Sequence, residues 1–188
     1  MKKTTLTAAA LIAGTTVTAL AHGGATGIVK ERMEAMMAMG KAVKSVAPMM
    51  RGETAYDAEA LRDAARTFQA HSGKALTEQF PKGSAVAPSE TKDEVWQDWD
   101  RFTELADQLG IYARGLELAA ANGLGKHGGM GAGAMMGGSS MMGGGSMMGG
   151  TDGMMSAEGI GAMPADAAFN MTTQVCSACH ARFRAEDD

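Results

Sequence analysis

Apolar residues recur along much of the chain at alternating spacings of three and four, which is the period of an amphipathic α-helix. The clearest run ends at Asn122-Gly123 and keeps this spacing at Val95, Trp99, Phe102, Ala106, Leu109, Ala113, Leu116 and Ala120. Such a seam packs best against helices crossed at about 20°, the geometry of a four-helix bundle. The pattern therefore predicts an all-α fold, an antiparallel four-helix bundle, with this run as its third helix.

Three other segments supply the remaining predicted helices. The first covers residues 26–47 and is closed by Pro48; its apolar stripe is Val29, Met33, Met36, Gly40, Val43 and Ala47. The second follows the N-cap Asp57 and runs to about Gln79, with an interruption at Gly73; its stripe is Leu61, Ala64 or Ala65, Phe68, Ala75 and Leu76. The fourth starts at Pro164 and places on one face Phe169, Thr172 or Thr173, Cys176, His180 and Phe183.

The segment between the third and fourth helices does not fit a packed core. Residues 123–163 are mostly Gly, Met and Ser, and Met pairs stand at 135–136, 141–142, 147–148 and 154–155. Ordering so many glycines is entropically unfavourable, and few aliphatic or aromatic side chains are present to offset it. We therefore expect a long, disordered Met/Gly-rich insertion within one domain, whose helices come from residues 22–122 and 164–188.

The N-terminus has the features of a secretory signal. Lys2 and Lys3 precede an apolar run that begins at residues 8–13, and Ala19-Leu20-Ala21 has the small-residue pattern of a cleavage site. Residues 1–21 are therefore predicted to be a signal peptide that is removed on export, which indicates a periplasmic protein. No other stretch is apolar for long enough to span a bilayer, so no membrane span is expected after cleavage.

The charge of the mature chain restricts the classes of molecule that it is suited to bind. Loss of Lys2 and Lys3 leaves 15 Lys and Arg against 21 Asp and Glu, a net charge of −6 with His neutral. An acidic protein is poorly suited to nucleic acid. It is suited to basic docking patches, such as those of redox partner proteins.

The motif Cys176-Ser177-Ala178-Cys179-His180 carries the chemistry of the chain. On a helix, cysteines three apart share a face and can both form thioethers with the vinyl groups of a porphyrin, while the adjacent histidine reaches the iron. The chain contains only these two cysteines, which argues against a zinc site, and nothing upstream resembles the βαβ unit of a dithiol redox motif. A disulfide across three residues would be strained. The motif therefore predicts one covalently bound haem c, attached at Cys176 and Cys179, with His180 as an axial iron ligand.

The sequence resembles the class II cytochromes c, the cytochrome c′ family. These proteins are four-helix bundles with the haem motif near the C-terminus, whereas class I cytochromes carry it near the N-terminus. The segments that carry the resemblance are 29–32, 51–58, 94–96 and 176–184, and the Met/Gly segment has no counterpart in the family pattern. The resemblance also implies a possible homodimer, paired through the first two helices.

The resemblance implies roles for three further residues. Met36, four residues after Arg32, takes the position that faces the distal side of the haem. In low-spin relatives a methionine of this helix ligates the iron, whereas in typical members an apolar residue leaves the iron five-coordinate and able to bind NO or CO. Arg32 and Arg184 are implied to lie near the haem propionates, although a solvated surface position is the ordinary fate of an arginine.

The chemistry of a thioether is compatible with Met36 as an iron ligand but does not require it. A thioether paired with an imidazole stabilises ferrous iron and suits electron transfer, but methionine on an apolar helix face also serves as plain core. Met33, Met37 and Met39 lie close enough to compete. The sequence thus predicts a one-electron carrier rather than an enzyme, with Met36 as the sixth iron ligand. The alternatives are an NO- or CO-binding protein with an open distal face, and a haem protein whose Met pairs bind copper through soft sulfur ligands.

Overall fold

Four long helices form the bundle in the computed structural model, which describes residues 24–125 and 156–185. The predicted signal peptide and the Met pairs lie outside these described residues. The helices are α1 (Gly27–Met50), α2 (Ala58–Ala70), α3 (Gly73–Thr77), α4 (Glu94–Gln97), α5 (Trp99–Ala119), α6 (Ala157–Gly161) and α7 (Ala165–Phe183). The bundle consists of α1, α2, α5 and α7, and the described part of the chain contains no strand, only an isolated bridge between Thr91 and Arg184.

Helices α5 and α7 run antiparallel and are joined by backbone hydrogen bonds near both ends. The amide of Ala165, at the start of α7, donates to the carbonyl of Gly123 just beyond α5 (2.8 Å). At the other end, the amide of Lys92 donates to the carbonyl of Phe183 (2.9 Å). Helix α1 packs mainly on α2 and only sparsely on α7. The bundle is therefore closed on one side and open between α1 and the last turns of α7.

The heptad seam predicted for the third helix is confirmed at seven of its eight positions. Val95, Phe102, Ala106, Leu109, Ala113, Leu116 and Ala120 are all buried in the core. Trp99 is the exception, since 36% of its surface is exposed. The predicted single helix is also divided at Asp98, where the backbone leaves the helical region and separates α4 from α5. This bend turns Trp99 away from the seam.

The prediction for the first helix is wrong in two details. Helix α1 continues through Pro48 to Met50, because Met49 and Met50 are buried in the core and the carbonyl that loses its partner to Pro48 belongs to the exposed Lys44. The stripe in the core is also displaced around the helix. Apart from Val29, the predicted stripe is only partly buried, and the buried positions are instead Arg32, Ala35, Met39, Val46, Met49 and Met50.

The predicted second helix is two helices. Asp57 is its N-cap as expected, because its carboxylate accepts from the amides of Glu59 (2.9 Å) and Ala60 (3.1 Å). The helix stops at Ala70, and Gly73, with a φ of +53°, starts α3 after the break. Leu76 is buried, whereas Ala75 is exposed rather than part of the stripe.

The predicted insertion is too long at its C-terminal end. Residues 156–163 are folded: Ser156 caps α6 by accepting from the amide of Gly159 (3.1 Å), and Ile160 is completely buried against α5. The side-chain amide of Asn122 donates to the carbonyls of Gly161 (2.8 Å) and Met163 (2.7 Å). Ile160 is the aliphatic residue that anchors this stretch, and the glycine-rich composition around it did not indicate that role. In the part of the chain that the structure covers, no helix has the length and apolar character needed to cross a membrane.

Gly115 allows α6 to lie directly on α5, and this contact gives a stability prediction. A Cβ atom at residue 115 would stand 2.6 Å from Cβ of Ile160 and 2.9 Å from the carbonyl oxygen of Ala157. We expect Gly115→Ala to lower the free energy of unfolding by about 1–3 kcal/mol, because α6 must move away from α5. Chemical denaturation of the holoprotein measures this. Gly40→Ala is the control, since its Cβ would meet nothing within 4 Å, and equal stability losses in the two variants would contradict the prediction.

Candidate functional site

The open side of the bundle contains a cavity of about 530 Å³. Its walls come from one face of α1, the last turn of α7, Phe102 of α5 and the segment that joins α3 to α4. The residues that line it are Arg32, Met33, Met36, Met37, Lys44, Phe80, Pro88, Ser89, Glu90, Thr91, Phe102, Cys179, His180, Phe183 and Arg184. The volume is typical of a cofactor or ligand site. Five of the six residues predicted from the sequence for the site therefore meet in one cavity.

Cys176, the sixth, lies one turn before Cys179 on α7 and is not among the lining residues. Both cysteines are free and partly buried, and the Sγ atom of Cys176 lies 3.8 Å from the carbonyl oxygen of Thr172, a weak hydrogen bond along its own helix. Because Cys176 and Cys179 are three residues apart on α7, they share one face of the helix.

The ionisation of the motif before haem attachment follows from its burial. Burial raises the pKa of the Cys179 thiol to about 11, with a smaller contribution from Cys176, and burial likewise raises the pKa of Cys176. The pKa of His180 is lowered first by partial desolvation of its ring, although the residue is exposed overall, and then by the positive charge of Arg184, while Glu90 opposes the shift. At neutral pH, His180 therefore presents a neutral imidazole, the form that ligates metals.

The wall formed by α1 carries three thioethers. Met33, Met36 and Met37 follow each other at spacings of three and one, and all three line the cavity with His180. Met36 is partly buried and 38% of Met37 is exposed. Met39, the fourth methionine considered for this role, is instead buried in the core and does not line the cavity. The displacement of the α1 stripe explains this arrangement, because the predicted stripe positions 33 and 36 face the cavity.

Arg32 is buried, with 4% of its surface exposed, and it forms a dense set of hydrogen bonds to the segment 79–91. Its Nε and Nη2 atoms donate to the carbonyl oxygen of Gln79 (3.1 and 2.8 Å), and Nη2 also donates to Oγ of Ser84 (2.6 Å). Its Nη1 atom donates to Oγ of Ser89 (2.9 Å) and to Oγ1 of Thr91 (2.7 Å). Burial lowers the pKa of Arg32, which nevertheless remains a cation at any physiological pH.

Arg184 lies just after α7, on the side of the cavity opposite Arg32. Its Nε atom donates to a carboxylate oxygen of Glu90, and the backbone around it bridges Thr91. The amide of Ala185 donates to the carbonyl of Glu90 (2.7 Å). Arg32 and Arg184 thus hold the same segment from two sides. The role of both arginines at the propionates stays a prediction.

Several lining residues were not found from the sequence. Phe80, Phe102 and Phe183 form an aromatic wall, with ring centroids 4.7 Å apart for the first pair and 5.4 Å apart for the second. Of these, only Phe183 was predicted to share a helix face with His180. Lys44 also lines the cavity. The sequence could have predicted this, because Lys44 lies seven residues, about two helical turns, after Met37 and therefore on the same helix face. Nothing in the sequence predicted that residues 88–91 line the cavity, because a loop has no periodicity that indicates its spatial neighbours.

A model of the family described as "Cytochrome C'" matches residues 27–137, more than half of the chain. The chain belongs to the cytochrome c′ family. The matched residues include α1 to α5 and stop before the C-x-x-C-H motif, so the family match and the haem motif are independent observations. The resemblance inferred from the sequence is confirmed.

Curated relatives agree with this family. The chain is 34% identical over 119 residues to a cytochrome c-556 of Agrobacterium fabrum, covering 60% of this chain and 74% of that protein. It is also 34% identical over 79 residues to a cytochrome c-554 of Cereibacter sphaeroides, covering 40% of this chain and 59% of that protein. This cytochrome c′ family member is therefore a c-type cytochrome.

Solved structures confirm the four-helix-bundle fold. The cytochrome c′ of Thermochromatium tepidum superposes with a TM-score of 0.57 at 20% identity, covering 85% of this chain and 95% of that one. The cytochrome c′ of Rhodopseudomonas palustris gives a TM-score of 0.58 at 18% identity, covering 87% and 100%.

The cofactor of the cytochrome c′ family, covalent haem c, fits the groups that line this cavity. An imidazole and soft thioethers are suitable axial ligands for haem iron, and the three phenylalanines provide the apolar, aromatic surface that a porphyrin needs. Lys44 and Arg184 place positive charge at the rim, where carboxylate groups of a bound haem are best neutralised. The chain therefore carries covalent haem c. Attachment of the haem at Cys176 and Cys179, with His180 as an axial iron ligand, stays a prediction.

Proposed function

We propose that this cytochrome is a one-electron carrier whose haem iron is ligated by His180 and Met36. The observation that carries the proposal is the wall of α1, where Met33, Met36 and Met37 line the same cavity as the proximal histidine. Among them, Met36 occupies the family's distal position and is more buried than Met37. Soft thioether sulfur is the natural partner of haem iron on this side.

The residues of the chain set the conditions for electron transfer. The haem supplies the one-electron couple between ferric and ferrous iron. A methionine and a histidine that stay bound in both states keep reorganisation small and favour the ferrous form. Phe80, Phe102 and Phe183 keep water from that side of the cavity, which further raises the reduction potential. Helix α1 contains no histidine that could pair with Arg32 as a distal acid and base, so our proposal includes no chemistry on a substrate.

A second candidate function is the binding of NO or CO at an open distal face. Structural neighbours support it, because one is titled as the nitric oxide complex of a variant of the cytochrome c′ of Alcaligenes xylosoxidans, with a TM-score of 0.56 at 18% identity. The two functions differ in one bond. A methionine bound to iron excludes the gas, whereas a methionine that only packs over the haem leaves a site for it.

Optical spectra of the holoprotein with and without CO test the proposal. We expect a low-spin spectrum, a methionine-to-ferric-iron charge-transfer band in the near infrared, and a ferrous spectrum that is unchanged by CO at concentrations that saturate five-coordinate haem. A high-spin spectrum that changes readily with CO would instead make gas binding the function.

The charge of the chain and the composition of its first residues support a proposal for its location and its partners. We propose export to the periplasm through residues 1–21 and docking of the acidic mature chain to basic patches of redox partner proteins. A homodimer is a further proposal; one structural neighbour is titled as a cytochrome c′ with ligand-controlled dimer dissociation.

Copper binding by the Met pairs stays a prediction, since these residues lie outside the described part of the chain. We expect the reduced full-length protein to hold Cu(I) against a competing chelator at micromolar concentration, because clustered thioethers select Cu(I). The matched control replaces the Met pairs at 135–136, 141–142 and 147–148 by leucine, which keeps size and hydropathy. Equal retention of copper by both proteins would contradict the prediction.

A further inference from the structure

The segment 79–91 forms one wall of the haem cavity without any helix or strand of its own. Phe80, Pro88, Ser89, Glu90 and Thr91 all line the cavity. Such a segment needs partners for its backbone and hydroxyl groups if it is to keep one conformation beside a cofactor. In this structure one buried side chain, Arg32 of α1, supplies the partners of four residues of the segment, Gln79, Ser84, Ser89 and Thr91.

The guanidinium of Arg32 is fully used by these contacts. It has five N–H donors, one on Nε and two on each terminal nitrogen. Nε and one N–H of Nη2 have the carbonyl of Gln79, and the other N–H of Nη2 has the hydroxyl of Ser84. Nη1 has the hydroxyls of Ser89 and Thr91, with the carbonyl oxygen of Ser84 as a longer contact at 3.5 Å. Every acceptor is a neutral oxygen of this segment. No N–H is left for a haem propionate.

The same segment continues to the turn of α7 that carries the proximal histidine. Thr91, which accepts from Arg32, forms the bridge with Arg184, and the flanking bonds join Lys92 to Phe183 and Ala185 to Glu90. Phe183 follows His180 by three residues, so these bonds hold the C-terminal turn of α7. A chain of hydrogen bonds thus runs from α1, through residues 79–91, to the turn of His180.

An aromatic path runs beside the hydrogen bonds. The Cζ atom of Arg32 lies 4.1 Å from the centroid of the Phe80 ring, a cation–π contact. Phe80 packs on Phe102, and Phe102 packs on Phe183. Both paths begin at Arg32 and end on α7, although α1 and α7 themselves touch only sparsely.

We propose that Arg32 is a positioning residue that fixes the separation of α1 and α7 across the haem, and that it does so by holding the segment 79–91 rather than by pairing with a propionate. Arg32 precedes Met36 by one helical turn, so its contacts set where the methionines of α1 stand relative to His180. The effect on the bond between Met36 and iron rests on the proposed function; the attachment of the segment to Arg32 does not.

Substitution by lysine separates this role from a charge pair with a propionate. Lysine keeps the positive charge, but it has three donors on a flexible stem and cannot reproduce the planar fork that reaches four residues at once. If Arg32 only neutralised a propionate, lysine would preserve most of its role. If Arg32 holds the segment 79–91, a lysine at this position no longer holds that segment.

The test compares Arg32→Lys with Arg101→Lys in the full-length holoprotein. Arg101 is an exposed arginine of α5 that pairs with Glu104, so it controls for the exchange of side-chain type. The readouts are hydrogen exchange at the amides of Lys92 and Ala185 and the CO affinity of the ferrous protein. We expect Arg32→Lys to lower the protection of both amides at least about tenfold, since several hydrogen bonds are lost together. CO affinity should rise as Met36 loses its position, and Arg101→Lys should change neither.

Thr91→Val provides a second test that leaves Arg32 in place and keeps the shape of the side chain. It removes one acceptor of the guanidinium, and we expect a loss of protection of about fivefold at the same amides. This variant decides the question if Arg32→Lys does not fold.

Two results would overturn the proposal. One is protection at Lys92 and Ala185 within twofold of wild type in Arg32→Lys, or in Thr91→Val if the lysine variant does not fold. The other is equal loss in Arg32→Lys and Arg101→Lys. If the unmodified protein already binds CO as five-coordinate haem does, the proposed electron-carrier function fails, and amide protection alone decides the role of Arg32.

Discussion

Replacing Met36 with alanine is expected to open the haem iron to carbon monoxide. Removing a ligand that occupies the iron in more than about nine-tenths of the molecules raises the apparent affinity of a competing ligand at least about tenfold. The near-infrared charge-transfer band should disappear and the reduction potential should fall, because the ferrous state loses its thioether. CO titration of the reduced protein, the near-infrared spectrum and potentiometry measure the three effects.

Met33→Ala and Met37→Ala are the matched controls, because both residues line the same wall of the cavity. Each removes one thioether and about the same volume, so a general loosening of the wall would affect all three variants equally. We expect only the variant at residue 36 to lose the charge-transfer band. Loss of the band at residue 33 or 37, with Met36→Ala unchanged, would assign the ligand to that residue instead.

Phe102→Ala is expected to cause the largest loss of stability of any single substitution proposed for this chain. The ring is 1% exposed and lies edge-on to both Phe80, at 61° and 4.7 Å, and Phe183, at 89° and 5.4 Å. Deleting a buried phenylalanine side chain costs about 3–5 kcal/mol, because burial is lost and a cavity remains. Chemical denaturation of the holoprotein measures the change.

Trp99→Ala gives the comparison for this prediction. Trp99 contacts the same ring, with centroids 5.4 Å apart, but 36% of its surface is exposed. Its removal should therefore cost clearly less than the removal of Phe102. A larger loss at residue 99 than at residue 102 would show that the aromatic cluster is held from its surface side and not from its centre.

The parts of the fold that the sequence predicted are those governed by local periodicity. The seam of α5 repeats over six turns, so a single error at Trp99 does not change the prediction of a bundle. The Asp57 cap was predicted for a similar reason, because a capping carboxylate acts on amides only two and three residues away. Information of this kind lies within a few residues and can be read without a structure.

The stripe of α1 shows where such reasoning ends. Met33 and Met36 satisfy the apolar period as well as Met39 does, because a helix that faces both a core and a cofactor is apolar on two adjacent faces. Periodicity alone cannot divide the two faces. The haem motif identified the cofactor and located Cys179 and His180, but the contacts of Arg32 join residues 47 to 59 positions apart and follow no local rule.

The described residues that flank the Met/Gly segment, Gly125 and Ser156, lie toward the end of the bundle, or pole, that is farther from the haem motif. The amide of Gly125 donates to Asp166 near the start of α7 (2.8 Å), and α6, which starts at residue 157, packs against the C-terminal half of α5. The α-helical rise separates Ala165 from Cys179 by roughly 20 Å along α7. The closure entropy of an inserted flexible sequence grows only with the logarithm of its length, so such an insertion between residues 125 and 156 should lower the stability of the bundle little. This pole is therefore a natural grafting point, where a peptide or a whole domain could be inserted while the cytochrome keeps its spectrum and its potential.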